Sequence, residues 1–196
     1  MKGAKVYDLD PKLKALRQEH GTPKTLFGGL HTEYKFTVDC CASAENAKLT
    51  QFWDKSKDGL LQDWRGHRVW CNPPWENITP WLAKGWAEVQ RGCDLAVYLL
   101  PSRTGTDWFR DYAIHATALD FFRERLAFDF CAELLKWYES QGRAAPKGGD
   151  TDCMLVVMQA GLVGKEPPAL RYRSRADGAR VNVRPLPAQM PITVRS

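Results

Sequence analysis

Apolar positions along this chain come in short runs of two periods, and the two kinds of run alternate. Asp10-Pro11 reads as a helix cap with proline at the first helical position, followed by Leu13 and Leu16 and a stop at Gly21. Thr22-Pro23 repeats the cap signal, and Leu26, Phe27, Leu30 and Tyr34 fall on one helical face. Residues 35–39 alternate, with Phe36 and Val38 inward and an acid, Asp39, at the end, which predicts a short strand. Residues 42–64 show no period. Residues 67–71 form a second strand that runs into Asn72-Pro73-Pro74-Trp75, where two prolines must end its ladder. Thr79-Pro80 starts a helix carrying Trp81, Leu82, Trp86 and Val89, with Gly92 as its stop.

Residues 94–100 are an apolar run of strand length, expected at the centre of a parallel sheet and stopped by Pro101. Thr106 caps a further helix with Trp108, Phe109, Tyr112 and Ala113. Residues 119–122 and 126–130 read as strands around a polar break, 141–150 as a loop, and 153–159 as a last buried strand. Strands alternating with helices predict an α/β layer with a mostly parallel sheet and helices on both faces. Ligands of such sheets sit beyond the carboxyl ends of the strands. Asp39, Asn72 and Pro101 all lie at such ends, which places the chemistry on one rim.

With 196 residues and 44% of them hydrophobic, the chain supports one domain with a proper core. No apolar run reaches the roughly 18–20 residues of a membrane span, and the N-terminus has no apolar segment of the signal-peptide kind, so a cytoplasmic protein is expected. The six cysteines form no C-x-x-C pair and fall in apolar stretches, so they are expected reduced, and no metal site is expected. The net charge of +5 is unevenly placed. Residues 161–196 carry seven Lys or Arg and two acids, and the first 160 residues balance. The expected organisation is therefore a single domain over 1–160 and a basic tail over 161–196. Such a tail suits a polyanion such as nucleic acid, or it is simply a solvated terminus.

The stretch Asn72-Pro73-Pro74-Trp75 resembles the (Asp/Asn/Ser)-Pro-Pro-aromatic motif of amino methyltransferases, and the chemistry explains the residue types. The lone pair of an exocyclic amine is delocalised into the base, so its nitrogen is a weak nucleophile. Two acceptors aimed at its two N–H bonds favour a pyramidal nitrogen and support the positive charge that develops on transfer. The Asn72 side-chain oxygen can be one and the Pro73 carbonyl the other, its direction fixed by the proline ring. Trp75 offers a flat face to an extruded base.

Further segments extend the resemblance in order. Thr22-Pro23 is similar to the Thr-Pro start of a cofactor motif. Phe36-Thr37-Val38-Asp39-Cys40-Cys41-Ala42 is similar to the first cofactor strand and its turn, and Asp58-Gly59-Leu60 to an acidic element before the catalytic strand. Asp63-Trp64, Leu99-Leu100-Pro101, Thr106-Asp107-Trp108-Phe109 and Arg125-Leu126-Ala127-Phe128 complete the series. Together they resemble the phage-type DNA N-6-adenine methyltransferases over roughly residues 20–158.

The resemblance implies a compact Rossmann-like methyltransferase fold with an antiparallel strand near one edge of the sheet. The implied activity is transfer of a methyl group from S-adenosyl-L-methionine to N6 of an adenine flipped out of double-stranded DNA. The implied host is a bacterial cell carrying a phage or prophage. Asn72, Pro73, Pro74 and Trp75 become the catalytic residues. Thr22, with Pro23, would hold the carboxylate end of the cofactor. Asp39 would face its amino group or ribose, with Cys40 beside it in the turn, and Asp58 its adenine amine. Asp54 is a possible ribose ligand. Arg103, Arg143, Lys147, Arg171, Arg173 and Arg175 are the candidate DNA contacts. The first turn lacks Gly-x-Gly, and only 32 residues, 40–71, separate Asp39 from Asn72, so the cofactor half must be compact. Cytosine N4, RNA amino methylation and a non-catalytic nucleic-acid-binding module stay open. No Pro-Cys nucleophile for cytosine C5 chemistry is present.

Overall fold

A computed structural model of the protein describes residues 21–145 and 151–182. In chain order the elements are α1 (Lys24–Tyr34), β1 (Val38–Asp39), β2 (Arg68–Cys71), α2 (Thr79–Arg91), β3 (Leu95–Pro101), α3 (Asp107–Asp111), a 3-10 turn (Ala113–His115), β4 (Ala118–Phe122), α4 (Ala132–Ser140), β5 (Cys153–Gln159), β6 (Ala169–Arg173) and β7 (Arg180–Val181). The helix expected after Asp10-Pro11 lies outside the described residues. So does Lys147.

The strands form one mixed α/β sheet in the order β1-β2-β3-β5-β4-β6-β7. β1, β2 and β3 pair in parallel, β5 is antiparallel to both β3 and β4, and β6 pairs in parallel with β4. The carboxyl ends of β1, β2, β3, β4 and β6 therefore share one rim. The expected antiparallel strand near one edge is corrected by this order: β5 is reversed and sits in the middle of the sheet. A second reversed strand, the two-residue β7, closes the far edge. Apolar periodicity reports burial and not direction, and β5 is as buried as a parallel strand would be.

Alternation on the strands divides the core into two layers. Val69, Cys71, Ala96, Tyr98, Leu100, Met154 and Val156 face α2 and the α3 region. Trp70, Leu95, Val97, Leu99, Leu155 and Val157 face α1. Helices thus cover both faces, as expected. α2 can lie close on β3 because Gly85 has no side chain. A Cβ there would stand 1.7 Å from the Tyr98 hydroxyl, which donates to the Trp81 carbonyl at 2.9 Å.

The helix starts are shifted from the expected caps. Pro23 and not Thr22 is the N-cap of α1, and Ile78 and not Thr79 that of α2. Thr22 is 1% exposed and its hydroxyl has no hydrogen-bond partner, so it is not used as a cap. Residues 126–130, expected as a strand, make a single antiparallel bridge, between Gly21 and Asp129.

The basic region is corrected most. β6 and β7 belong to the sheet, so no independent tail begins at residue 161. Arg171 and Arg173 sit on the same face of β6 beside Asp120, which is 0% exposed. Arg173, also 0% exposed, donates to Asp120, to Glu33 at 2.7 Å, to the Gly178 carbonyl at 2.7 Å and to the Tyr34 hydroxyl at 2.6 Å. Arg171 pairs with Asp120 at 3.3 Å. Arg173 is therefore a core cation and cannot reach a phosphate, and the charge of Arg171 is committed to the same acid.

Candidate active site

The connection from β1 to β2 contains no helix. Asp39 is held in place by backbone bonds on both sides: its N–H donates to the Gln51 carbonyl at 3.0 Å, and its carbonyl accepts from Trp53 N–H at 2.9 Å. This lays residues 51–53 along β1 and sends the intervening chain over the carboxyl rim. Side chains then fix the turns. Asn46 Oδ1 accepts from the Ser43 N–H at 2.7 Å, Asp54 Oδ1 from the Ser56 N–H at 3.0 Å, and Asp58 Oδ1 from the Leu60 N–H at 3.0 Å. Gly59 passes so close to the end of β1 that a Cβ would stand 2.0 Å from the Cys40 carbonyl oxygen. Its carbonyl accepts the indole N–H of the fully buried Trp64 at 2.9 Å. A side chain at Gly59 would push Asp58 away from β1.

The result is a cleft of about 300 Å³ at the rim. Of the residues singled out in the sequence, Thr22, Asp39, Cys40, Asp58, Asn72 and Pro74 line it, as does the possible ribose ligand Asp54. Pro73 is buried behind Asn72. Pro23 and Trp75 are not part of the wall. Trp75 is half-buried between the two core layers, donates its indole N–H to the Leu99 carbonyl at 3.3 Å, and meets Phe128 edge-on with ring centroids 5.3 Å apart. Two aromatic rings thus stand beside the Asn-Pro-Pro loop where the sequence indicated one.

Asp39 is 2% exposed. Its Oδ2 accepts from the Lys48 N–H at 3.0 Å, and its Oδ1 has no hydrogen-bond partner. Burial pushes its carboxyl up to about 6, held back in part by the backbone N–H groups of Lys48 and Cys41 and by the Lys48 charge. Asp39 Oδ1 and the Thr22 hydroxyl are thus two buried, unsatisfied polar atoms in the wall of one cleft. Such atoms cost about 1–3 kcal/mol each unless something pairs with them. Three carboxylates (Asp39, Asp54, Asp58) and two ammonium groups (Lys48, Lys55) line the cleft, leaving one net negative charge.

The lining also includes residues without a functional signature in sequence: Asn46, Lys48 and Trp53 in the aperiodic loop, and Trp81, expected only as part of the apolar face of α2. Of the candidate DNA contacts, Arg103 follows β3 on the rim side and is exposed, as are Arg143 beyond α4 and Arg175 beyond β6. Arg175 donates to the Arg125 carbonyl at 3.1 Å. Among the described residues, no group of three or more His, Cys, Asp or Glu side chains is placed to hold a metal ion, and no helix is long and apolar enough to cross a membrane.

Fold and cleft together define an α/β protein with a candidate ligand cleft at the carboxyl rim of its strands, lined in part by Asn72 and Pro74 of the Asn-Pro-Pro-Trp stretch. The chain belongs to the DNA N-6-adenine-methyltransferase (Dam) family, which it matches over residues 11–180. It is also similar to the DNA N-6-adenine-methyltransferase of Haemophilus phage HP1 (strain HP1c1), at 32% identity over 75 residues. That match covers 38% of this chain and 43% of the length of the phage protein.

Proposed function

We propose that the protein transfers a methyl group from S-adenosyl-L-methionine to N6 of an adenine turned out of DNA. The observation that carries this reading is the pair of unsatisfied buried atoms, Thr22 Oγ1 and Asp39 Oδ1, in the same cleft as Asn72. A ligand with a carboxylate and an ammonium on one carbon satisfies both kinds of group. The net negative cleft also suits a cofactor whose sulfonium and ammonium outweigh its carboxylate. When bound, that cofactor supplies an activated methyl group on a sulfonium.

The protein's part is to position the amine. Asn72 and the Pro73 carbonyl accept its two N–H bonds, so the nitrogen lone pair turns toward the cleft. The Trp75–Phe128 pair gives the extruded base an aromatic surface, and the half-buried setting of Asn72, Pro74 and Trp75 keeps the loop within reach of a base. The compact arrangement serves as a reduced Rossmann-like fold, with the irregular 40–67 segment standing in for a helical crossover. Arg103, Arg143 and Arg175 are the exposed cations we assign to DNA phosphates. Replacing all three with Ala should flatten the dependence of log affinity on log salt by about 0.9 per lost contact. An unchanged slope in filter binding would remove them from the interface.

The deciding experiment incubates the protein with DNA and labelled cofactor, digests the DNA and identifies the nucleoside. N6-methyl-2′-deoxyadenosine is expected. Label only on N4 of cytosine would move the same geometry to the other amine, label on RNA alone would change the substrate, and cofactor-independent DNA binding without label would leave a binding module.

A pH dependence follows from Asp39. Burial moves its protonation up to about pH 6, whereas a cationic ligand group favours the carboxylate. Cofactor affinity should therefore be constant above about pH 6 and fall as pH drops below it, reaching about tenfold weaker near pH 5. Titration calorimetry across this range checks it, and Asp39→Asn should bind weakly with no such dependence. A flat wild-type profile would show that Asp39 does not face the cationic group.

A further inference from the structure

Lys48 lies in the loop that sequence periodicity leaves blank, yet its side chain lines the cleft and is only 11% exposed. Its ammonium stands beside the Gly21-Thr22 backbone, 3.4 Å from where a Cβ on Gly21 would be. Among the described residues the one acid in ion-pair range is Asp129, with Oδ2 at 4.0 Å. That is too far for a hydrogen bond, and the Asp129 side chain is 56% exposed. Among the described residues the ammonium donates no hydrogen bond. A cation mostly withdrawn from water and left without a short contact favours an anion brought in by a ligand.

The surroundings specify which anion. The backbone N–H of Lys48 holds Asp39 Oδ2, so one residue fixes the acid and carries the opposite charge on its side chain. Beside it are the unsatisfied Thr22 hydroxyl and the N-terminus of the eleven-residue α1, whose first free N–H groups favour negative charge. The cleft thus holds an acid and a base in one wall, a match for an α-amino acid zwitterion.

We propose that Lys48 is the positioning residue for the carboxylate of the cofactor's amino-acid end, with Asp39 opposite it on the amino group. This rests on the S-adenosylmethionine reading above. It adds that affinity for the amino-acid end is set by Lys48, with Thr22 and the start of α1 as its helpers.

The test uses three ligands that cannot donate a methyl group. S-adenosylhomocysteine carries both charged groups, its decarboxylated analogue carries the amine alone, and 5′-methylthioadenosine carries neither. Affinities are measured by titration calorimetry on the full chain, wild type and Lys48→Met. The substitution should weaken S-adenosylhomocysteine by about 10- to 100-fold, the range of a charge-assisted hydrogen bond, and leave the other two ligands unchanged. Lys48→Arg should restore most of the loss. Equal weakening of all three ligands, or none of S-adenosylhomocysteine, overturns the assignment. If Lys48→Met does not fold, the wild-type comparison still decides, because indifference between the first two ligands removes any carboxylate reader. Wild-type binding of none of the three would instead sink the cofactor reading itself, an outcome distinct from loss of carboxylate selectivity alone.

Discussion

Asn72→Ala is expected to lower methyl transfer by about 10²–10³-fold or more, while S-adenosylhomocysteine affinity falls far less. The asymmetry follows from position. Asn72 lies at the carboxyl end of β2, where the proline pair turns the chain away from the sheet, whereas Thr22, Asp39 and Lys48 enter the same cleft from other segments, just before α1, on β1 and in the β1–β2 loop. On the proposed mechanism, losing its oxygen removes one of two acceptors for the target amine, an interaction that strengthens only as charge develops on nitrogen. Asn72→Asp keeps an acceptor and adds a charge, and should retain more activity than Ala. Single-turnover rates on labelled DNA, set beside calorimetric affinities, separate the two effects. Full transfer by Asn72→Ala would take this side chain out of the mechanism.

Arg173→Ala should cost about 3–5 kcal/mol of folding stability, because it leaves Asp120 buried without its principal cation. For a domain whose whole stability is about 5–15 kcal/mol, that shift is large enough to read directly in urea denaturation. Arg175→Ala, two residues on and exposed, should stay within about 0.5 kcal/mol of wild type. Arg173→Lys keeps the charge but loses the planar fork that serves Asp120, Glu33 and Tyr34 together, and should fall between them. Equal stability of the Arg173 and Arg175 variants would mean that the buried network is not what holds β6 to the sheet.

These two residues mark what could and could not be seen in the sequence. Asn72 was legible because a strand period stops at a proline pair whose residue types have a chemical reason. Thr22, Asp39, Cys40 and Asp58 were legible through their order along the chain, and they do converge on one cleft. Arg173 was misread because charge in sequence has no partner: only the register of β6 on β4 brings it to Asp120. The direction of β5 was hidden because alternation and burial are the same for either direction. Lys48, Asn46 and Trp53 were hidden because their loop is fixed by backbone bonds to Asp39 and by turn side chains, and neither leaves a period. α4 was passed over because only Leu134 of its residues is buried, too few for an apolar stripe.

The reversed central strand has one further consequence. Because β4 and β5 are antiparallel neighbours, the chain that leaves β4 at Phe122 and re-enters at Cys153 has both its feet on the reactive rim. The excursion between them, residues 123–152, can therefore change length without re-threading a single strand, at a closure cost that grows only with the logarithm of its length, provided that the buried Leu126 and Leu134, the Asp129 bridge and Phe128 keep their places. A tether of this kind, anchored at both ends on one rim, confines any change of length to the side of the sheet where the candidate cleft opens.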